Sequence, residues 1–172
     1  MSKYRVTLRP ALDGKQPIQR NGVSLEARPE GTLLHLLAPP STNELPCFSE
    51  YAANLSLRPV SPGQWFAVGD TALPHADLQA LASSLKSEAD IVDQSHGRIR
   101  ILVRGPMAMR VLAKGTAVDL AIFPVGHSAT TLIGHITAHV TRIDEDAFEL
   151  IVLRGFAESL WDELVQMSLE FS

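Results

Sequence analysis

Hydrophobic and polar positions change their spacing several times along the chain, and each change marks an element. From residue 98 the alternation is regular. Ile99, Ile101 and Val103 fall on one side, and Arg98, Arg100, Leu102 and Arg104 on the other, which is the two-residue period of a strand. Ile91 and Val92 begin the strand before it, and Ser95-His96-Gly97 makes the tight turn between them. Upstream, Leu55 and Leu57 alternate with polar neighbours, Ser61-Pro62-Gly63 supplies a turn, and 65–68 forms a second strand. Leu78, Leu81, Ala82 and Leu85 recur at i, i+3, i+4 and i+7, so the spacing predicts a helix over about 74–86.

Beyond residue 104, Gly105-Pro106 opens a short helix that Gly115 closes, and Phe123-Pro124-Val125-Gly126 makes a loop. Two long strands are expected at about 130–143 and 147–153, joined by the acidic turn Asp144-Glu145-Asp146. A last helix begins near Phe156, with Ala157, Leu160, Trp161, Leu164 and Val165 facing inward and Glu158, Asp162 and Glu163 outward. The order strand, helix, strand, strand, helix, strand across 64–140 is the ferredoxin-like pattern. The expected class is α+β, an antiparallel sheet with helices on one face.

Residues 1–50 read differently. Pro10, Pro17, Pro29, Pro39, Pro40 and Pro46 interrupt any long regular element. Short strands are expected around Val23, Leu25 and Ala27 and over the apolar run 32–37. The segment is read as an extended arm, mobile or laid along another subunit, and 51–172 as the folded domain.

Composition narrows the class. At 172 residues the chain suits one domain, burying roughly 70% of its unfolded surface without staples. Its single cysteine, Cys47, cannot form an internal disulfide, which suits a reducing compartment. The first twenty residues lack the apolar stretch of a signal peptide, and no run approaches the roughly 18 residues needed to span a bilayer. A soluble, cytoplasmic protein is the expectation. A net charge of −4 argues against nucleic-acid binding. That charge is unevenly distributed: residues 1–22 carry five basic groups against one acid, and residues 144–172 carry eight acids against Arg154. Such polarity fits oriented docking as well as a solvated helix face.

The residue types of several chemistries are present without their spacing. His135 and His139 lie in a β-branched, alternating run, which on one strand sets them roughly 13 Å apart, too far for one metal ion. Asp93, Ser95 and His96 sit on one tight turn, where side chains bond nearby backbone amides more readily than they form a triad. Cys47 has no neighbouring base or second cysteine, and Gly126-His127-Ser128 lacks the spacing of a phosphate loop. Trp65 and Trp161 occupy core-type positions. Arg98, Arg100 and Arg104 share one strand face. They are read either as a solvated outer face or as a site for an anion or a partner's acids. With Glu158, Asp162 and Glu163 they make up the candidate partner interface. No catalytic, cofactor-binding or metal-binding residue is assigned.

A set of short blocks carries a resemblance. Pro62-Gly63-Gln64-Trp65 precedes a hydrophobic strand, and Asp93-Gln94-Ser95-His96-Gly97-Arg98 an alternating one. Gly105-Pro106 with Ala108 and Leu112 leads to Val118-Asp119-Leu120, and Phe123-Pro124-Val125-Gly126 to Thr130 or Thr131. Arg154-Gly155-Phe156-Ala157-Glu158-Ser159-Leu160-Trp161 opens the last helix, with Gly155 where a serine would be expected. In order and spacing these blocks, over residues 62–164, resemble the gamma subunits of heterotetrameric sarcosine oxidases. The resemblance implies an aminomethyltransferase-type, folate-binding-like fold and an accessory role without catalytic residues. It also implies a large flavoprotein alpha subunit as partner, with beta and delta subunits. FAD, FMN, NAD and tetrahydrofolate would then be held by those partners, and the complex would demethylate sarcosine oxidatively. Two other readings stand beside it. One is a stand-alone folate or one-carbon binding protein, with Asp119 as the carboxylate for the pterin. The other is a self-associating module in which the basic arm meets the acidic helix of a twin.

Overall fold

The strand that alternates most regularly has two unlike faces, and the fold covers both. Ile99, Ile101 and Val103 are at most 2% exposed, and Arg100 and Leu102 on the opposite face are buried as well. A second sheet lies over the polar side. The computed structural model describes residues 8–45, 48, 52 and 54–172.

Ten strands and three α-helices make up these residues. In chain order they are β1 (Ile18–Arg20), β2 (Val23–Ala27), β3 (Thr32–Leu37), β4 (Ser56–Ser61), β5 (Gln64–Gly69), α1 (His75–Leu85) and β6 (Asp90–Asp93). There follow β7 (Arg98–Arg104), α2 (Ala108–Ala113), β8 (Ser128–Ile133), β9 (Ile136–Asp144), β10 (Ala147–Leu153) and α3 (Ala157–Met167). One sheet runs β1-β2-β7-β10-β9-β8 and the other β4-β5-β3-β6. All neighbours are antiparallel. The α+β class with antiparallel sheets is therefore the observed one. The expected helix-strand order over 64–140 is also present, but its strands are divided between the two sheets.

Each sheet takes helices on its outer face. Ala157, Leu160, Trp161 and Leu164 of α3, with Val111 and Leu112 of α2, pack on Leu25, Ile101, Val140, Phe148 and Leu150 of the six-stranded sheet. Leu81 and Leu85 of α1 pack on Leu34, Leu36 and Ala67 of the four-stranded sheet. Each such leucine or isoleucine, fully buried, contributes about 1.5–3 kcal/mol. Between the sheets the apolar contact is smaller, formed by Leu33, Phe66, Val68 and Ile151. The rest of that layer is polar.

Two expectations are corrected here. The described part of the N-terminal segment is not an arm lying apart from the domain. β3 pairs with β5 on one side and β6 on the other, and its Leu34 and Leu36 are core residues. The helix that covers them lies some forty residues further on in the chain. Cys47, Lys3 and Arg5 lie outside the described residues. The long strand expected at 130–143 is a hairpin, β8 to β9. It turns at Gly134, whose φ of +59° suits a residue without a Cβ.

Candidate functional site

The polar layer between the sheets follows from strand alternation. On β7 every residue whose neighbours point into the helix-covered core points toward the second sheet, and this brings Arg98 and Arg100 inward. On β10 the same logic turns Glu149 and Ile151 to that side, and on β9 His139 and Thr141. From the opposite sheet come Arg58 on β4, His35 on β3 and Phe66 on β5.

At one end of the layer these groups form an ion network. Arg100 Nη1 donates to Glu149 Oε1 at 3.0 Å, and Arg58 Nε donates to Glu149 Oε2 at 2.7 Å. Arg100 Nη2 donates to Asp70 Oδ1 at 2.5 Å and to the Gly69 carbonyl at 3.0 Å. Arg28 donates to the other oxygen of Asp70. The Arg100 and Glu149 side chains are 6% and 4% exposed, so each charge depends on its partners for solvation. Burial alone would raise the pKa of Asp70, but the hydrogen bond and charge of Arg100, with the charge of Arg28, hold it below the ordinary carboxylate value. The network lines a cleft of about 200 Å³ that opens between β4, β7 and β10.

At the other end is an aromatic and imidazole cluster. The Phe66 ring stands 4.9 Å from that of His35 and 5.3 Å from that of His139, and the Arg98 guanidinium lies 4.8 Å over it. His139 Nδ1 and Thr130 Oγ1 are 3.1 Å apart, while the buried Nε2 makes no hydrogen bond of ordinary geometry. Burial above all, then the charge of Arg98, pushes the His139 pKa down to about 4, only partly offset by the Pro59 backbone. A hydroxyl beside an imidazole has the outline of a nucleophile and base. An imidazole this acidic is a weak base near neutrality, and among the described residues no side chain bonds its Nε2 to orient it. The pair therefore packs the layer.

The sequence-derived candidates are placed differently from one another. Arg98 and Arg100 lie between the sheets, not on a solvated outer face, because the four-stranded sheet covers them. Arg104 is exposed at the cleft mouth. Glu158 is exposed on α3. Asp162 pairs with Lys15 at 2.8 Å, and Arg20 donates to the Val165 carbonyl at 3.2 Å. Part of the basic segment thus meets the acidic helix within one chain. Glu163 packs over the turn at Gly134. His135 is exposed in that turn, away from the buried His139, and among the described residues no three metal-ligating side chains converge. Asp93 Oδ1 accepts from the Ser95 amide at 2.9 Å, and Ser95 Oγ accepts from the Leu33 amide at 3.0 Å. Turn chemistry accounts for the first, and the second ties the turn to β3. Asp119, exposed, accepts from the Ala121 amide at 3.0 Å.

Arg58, Asp70, Glu149, His35 and Phe66 were not singled out from sequence. A signal existed for Glu149, the one charge within the apolar run of β10. No helix among the described residues is long and apolar enough to cross a membrane.

Comparison with known proteins adds the following. The family model for the GCVT N-terminal domain matches residues 55–172. The chain is similar to a chain of the heterotetrameric sarcosine oxidase of Corynebacterium sp. U-96, solved in complex with pyrrole 2-carboxylate. The identity is 21%, with 90% of this chain and 88% of that one covered and a TM-score of 0.76. It is also similar to the glycine cleavage system aminomethyltransferase T from Bartonella henselae, at 18% identity and a TM-score of 0.64, covering 85% of this chain and 46% of that one. The regulatory subunit of aspartate kinase from Thermus thermophilus matches at 14% identity and a TM-score of 0.51, covering 87% and 99%. At these identities the likeness is one of fold. No curated protein sequence matches the chain significantly.

Proposed function

The chain belongs to the GCVT N-terminal domain family, and we propose that it is the accessory, gamma-type subunit of a heterotetrameric sarcosine oxidase. In this reading it packs on a large flavoprotein alpha subunit and keeps the complex assembled. The chemistry, oxidative demethylation of sarcosine to glycine, peroxide and a folate-bound one-carbon unit, takes place on the partners. FAD, FMN, NAD and tetrahydrofolate are held there.

One observation carries the proposal. The likeness to the oxidase chain runs over nine-tenths of this chain and 88% of the other, whereas the aminomethyltransferase is covered over less than half its length. The site supports it chemically. Arg58, Arg100, Asp70 and Glu149 bind one another, which suits a part whose value is its shape.

The test is co-expression of the candidate alpha, beta and delta chains with and without this one. Size-exclusion chromatography with flavin absorbance, and sarcosine-dependent peroxide release, are the readouts. Loss of the assembled flavoprotein in its absence is the expected result. Full assembly and full oxidase activity without it would remove the proposal.

A further inference from the structure

The cleft at the end of the inter-sheet network holds more positive charge than the fold needs. Its lining has four guanidiniums, Arg28, Arg58, Arg100 and Arg104, and two carboxylates, Asp70 and Glu149. Glu26, bonded to Arg28 at 3.4 Å, lies outside the lining, and counting it still leaves one cation over. The inner groups are matched: Arg100 is shared between Glu149, Asp70 and the Gly69 carbonyl. Arg58 engages Glu149 through Nε and the Leu57 carbonyl through Nη1, which leaves its second terminal nitrogen without a hydrogen bond among the described residues. Arg104, at the mouth, has no ion pair among the described residues.

We propose that this cleft is a binding site for a small oxyanion, a carboxylate or phosphate, held by Arg104 and the outer face of Arg58 above the Arg100–Glu149 floor. The planar guanidinium fork of Arg104 matches the oxygen spacing of both groups for bidentate binding, and the remaining terminal nitrogen of Arg58 adds a further donor. The walls are partly shielded from water, which strengthens the pairing over that on an open surface. The cleft volume of about 200 Å³ is below the roughly 300–1,000 Å³ of pockets that take drug-sized ligands, so the ligand is a compact acid. The inference does not depend on the chain being an oxidase subunit.

Isothermal titration of the full chain with succinate and, separately, inorganic phosphate tests it, at constant ionic strength set with chloride. Saturable binding of either anion is expected, and the stronger of the two identifies the natural head group. Arg104→Ala should weaken that binding at least about tenfold, as expected for a charge-assisted contact. Its unfolding temperature should stay unchanged, because Arg104 is exposed and unpaired among the described residues. No saturable heat up to about 10 mM, weaker than the millimolar range of a marginal site, would overturn the proposal. Equal affinity of wild type and Arg104→Ala would overturn it too. In the first case the cleft would be left for a partner protein's acidic side chain.

Discussion

Arg100 and Glu149 stand on adjacent strands, β7 and β10, and face each other diagonally between the two sheets at 3.0 Å. Both are nearly removed from solvent, and the same glutamate accepts from Arg58 of the opposite sheet. One carboxylate therefore holds two guanidiniums and fastens the sheets together.

Replacing Glu149 with alanine should accordingly be among the most damaging single changes. It leaves Arg58 without its counter-charge and Arg100 with Asp70 alone, and breaking a buried pair this way costs about 3–5 kcal/mol. Urea unfolding of Glu149→Ala should show that loss. A variant that removes the charges together, Arg58→Met, Arg100→Met and Glu149→Leu, should be more stable than the single mutant. If the triple is the less stable of the two, the network stabilises on balance and the desolvation argument fails.

His139 sets a pH dependence of definite sign. Its folded pKa is about 4 against an ordinary value of 6.5, so between these values the unfolded chain binds the proton more readily. Stability therefore rises with pH across that window and falls as pH drops from about 6.5 toward 4. A shift of this size corresponds to about 3 kcal/mol in full. The positive groups facing the ring, Arg98 and Arg58, with His35 nearby, act in the same direction. Urea midpoints at pH 7 and pH 4.5 should differ markedly in wild type, and His139→Gln should flatten the difference. An unchanged slope in that variant would mean that other groups control the acid limb. Asp70 acts at lower pH: its pKa is depressed, so its contribution is complete above the ordinary carboxylate pKa and is lost as pH falls through the folded value.

The elements with local periodicity could be read from the sequence, and those defined by distant pairing could not. The spacing of Leu81 and Leu85 marked α1, and that of Leu160, Trp161 and Leu164 marked α3. The alternation of β7 was equally plain, down to which residues share a face. What covers the arginine face was not legible, because β3 comes from a proline-rich stretch and pairs with strands about thirty and sixty residues later. Glu149 was hidden for another reason. Counted with the acids at 144–146 it looked like part of a solvated tail, although Phe148, Leu150 and Ile151 around it are buried. The β8–β9 turn was masked by β-branched residues on both sides, and its only local mark is the lone glycine at 134.

The contact between Lys15 and Asp162 joins the N-terminal segment to α3 at 2.8 Å, with side chains 30% and 64% exposed. Exposed pairs of this kind are worth about 0–1 kcal/mol. A double-mutant cycle with Lys15→Ala and Asp162→Ala should give a coupling within that range, shrinking in high salt. A coupling well above it would mean that the pair is shielded by a second copy or a partner in solution.

Gly105 and Gly126 separate two reasons for keeping a glycine. Both have positive φ, +116° and +86°, so alanine at either should be strained by roughly 1–2 kcal/mol. Around Gly126 there is open space, but a Cβ on Gly105 would sit 2.4 Å from the Gly22 carbonyl oxygen. That oxygen already accepts from the Met107 amide, and the Gly105 amide donates to the Asp146 carbonyl. Backbone on both sides is therefore fixed, and the β1–β2 hairpin would have to move away from the end of β7. Gly105→Ala should cost clearly more than Gly126→Ala in urea unfolding. It should also loosen amide protection in β2, where Ser24 and Leu25 pair with Arg104 and Val103. Equal losses in the two variants would mean that backbone strain alone keeps both glycines, and that the close approach of Gly22 has no energetic role.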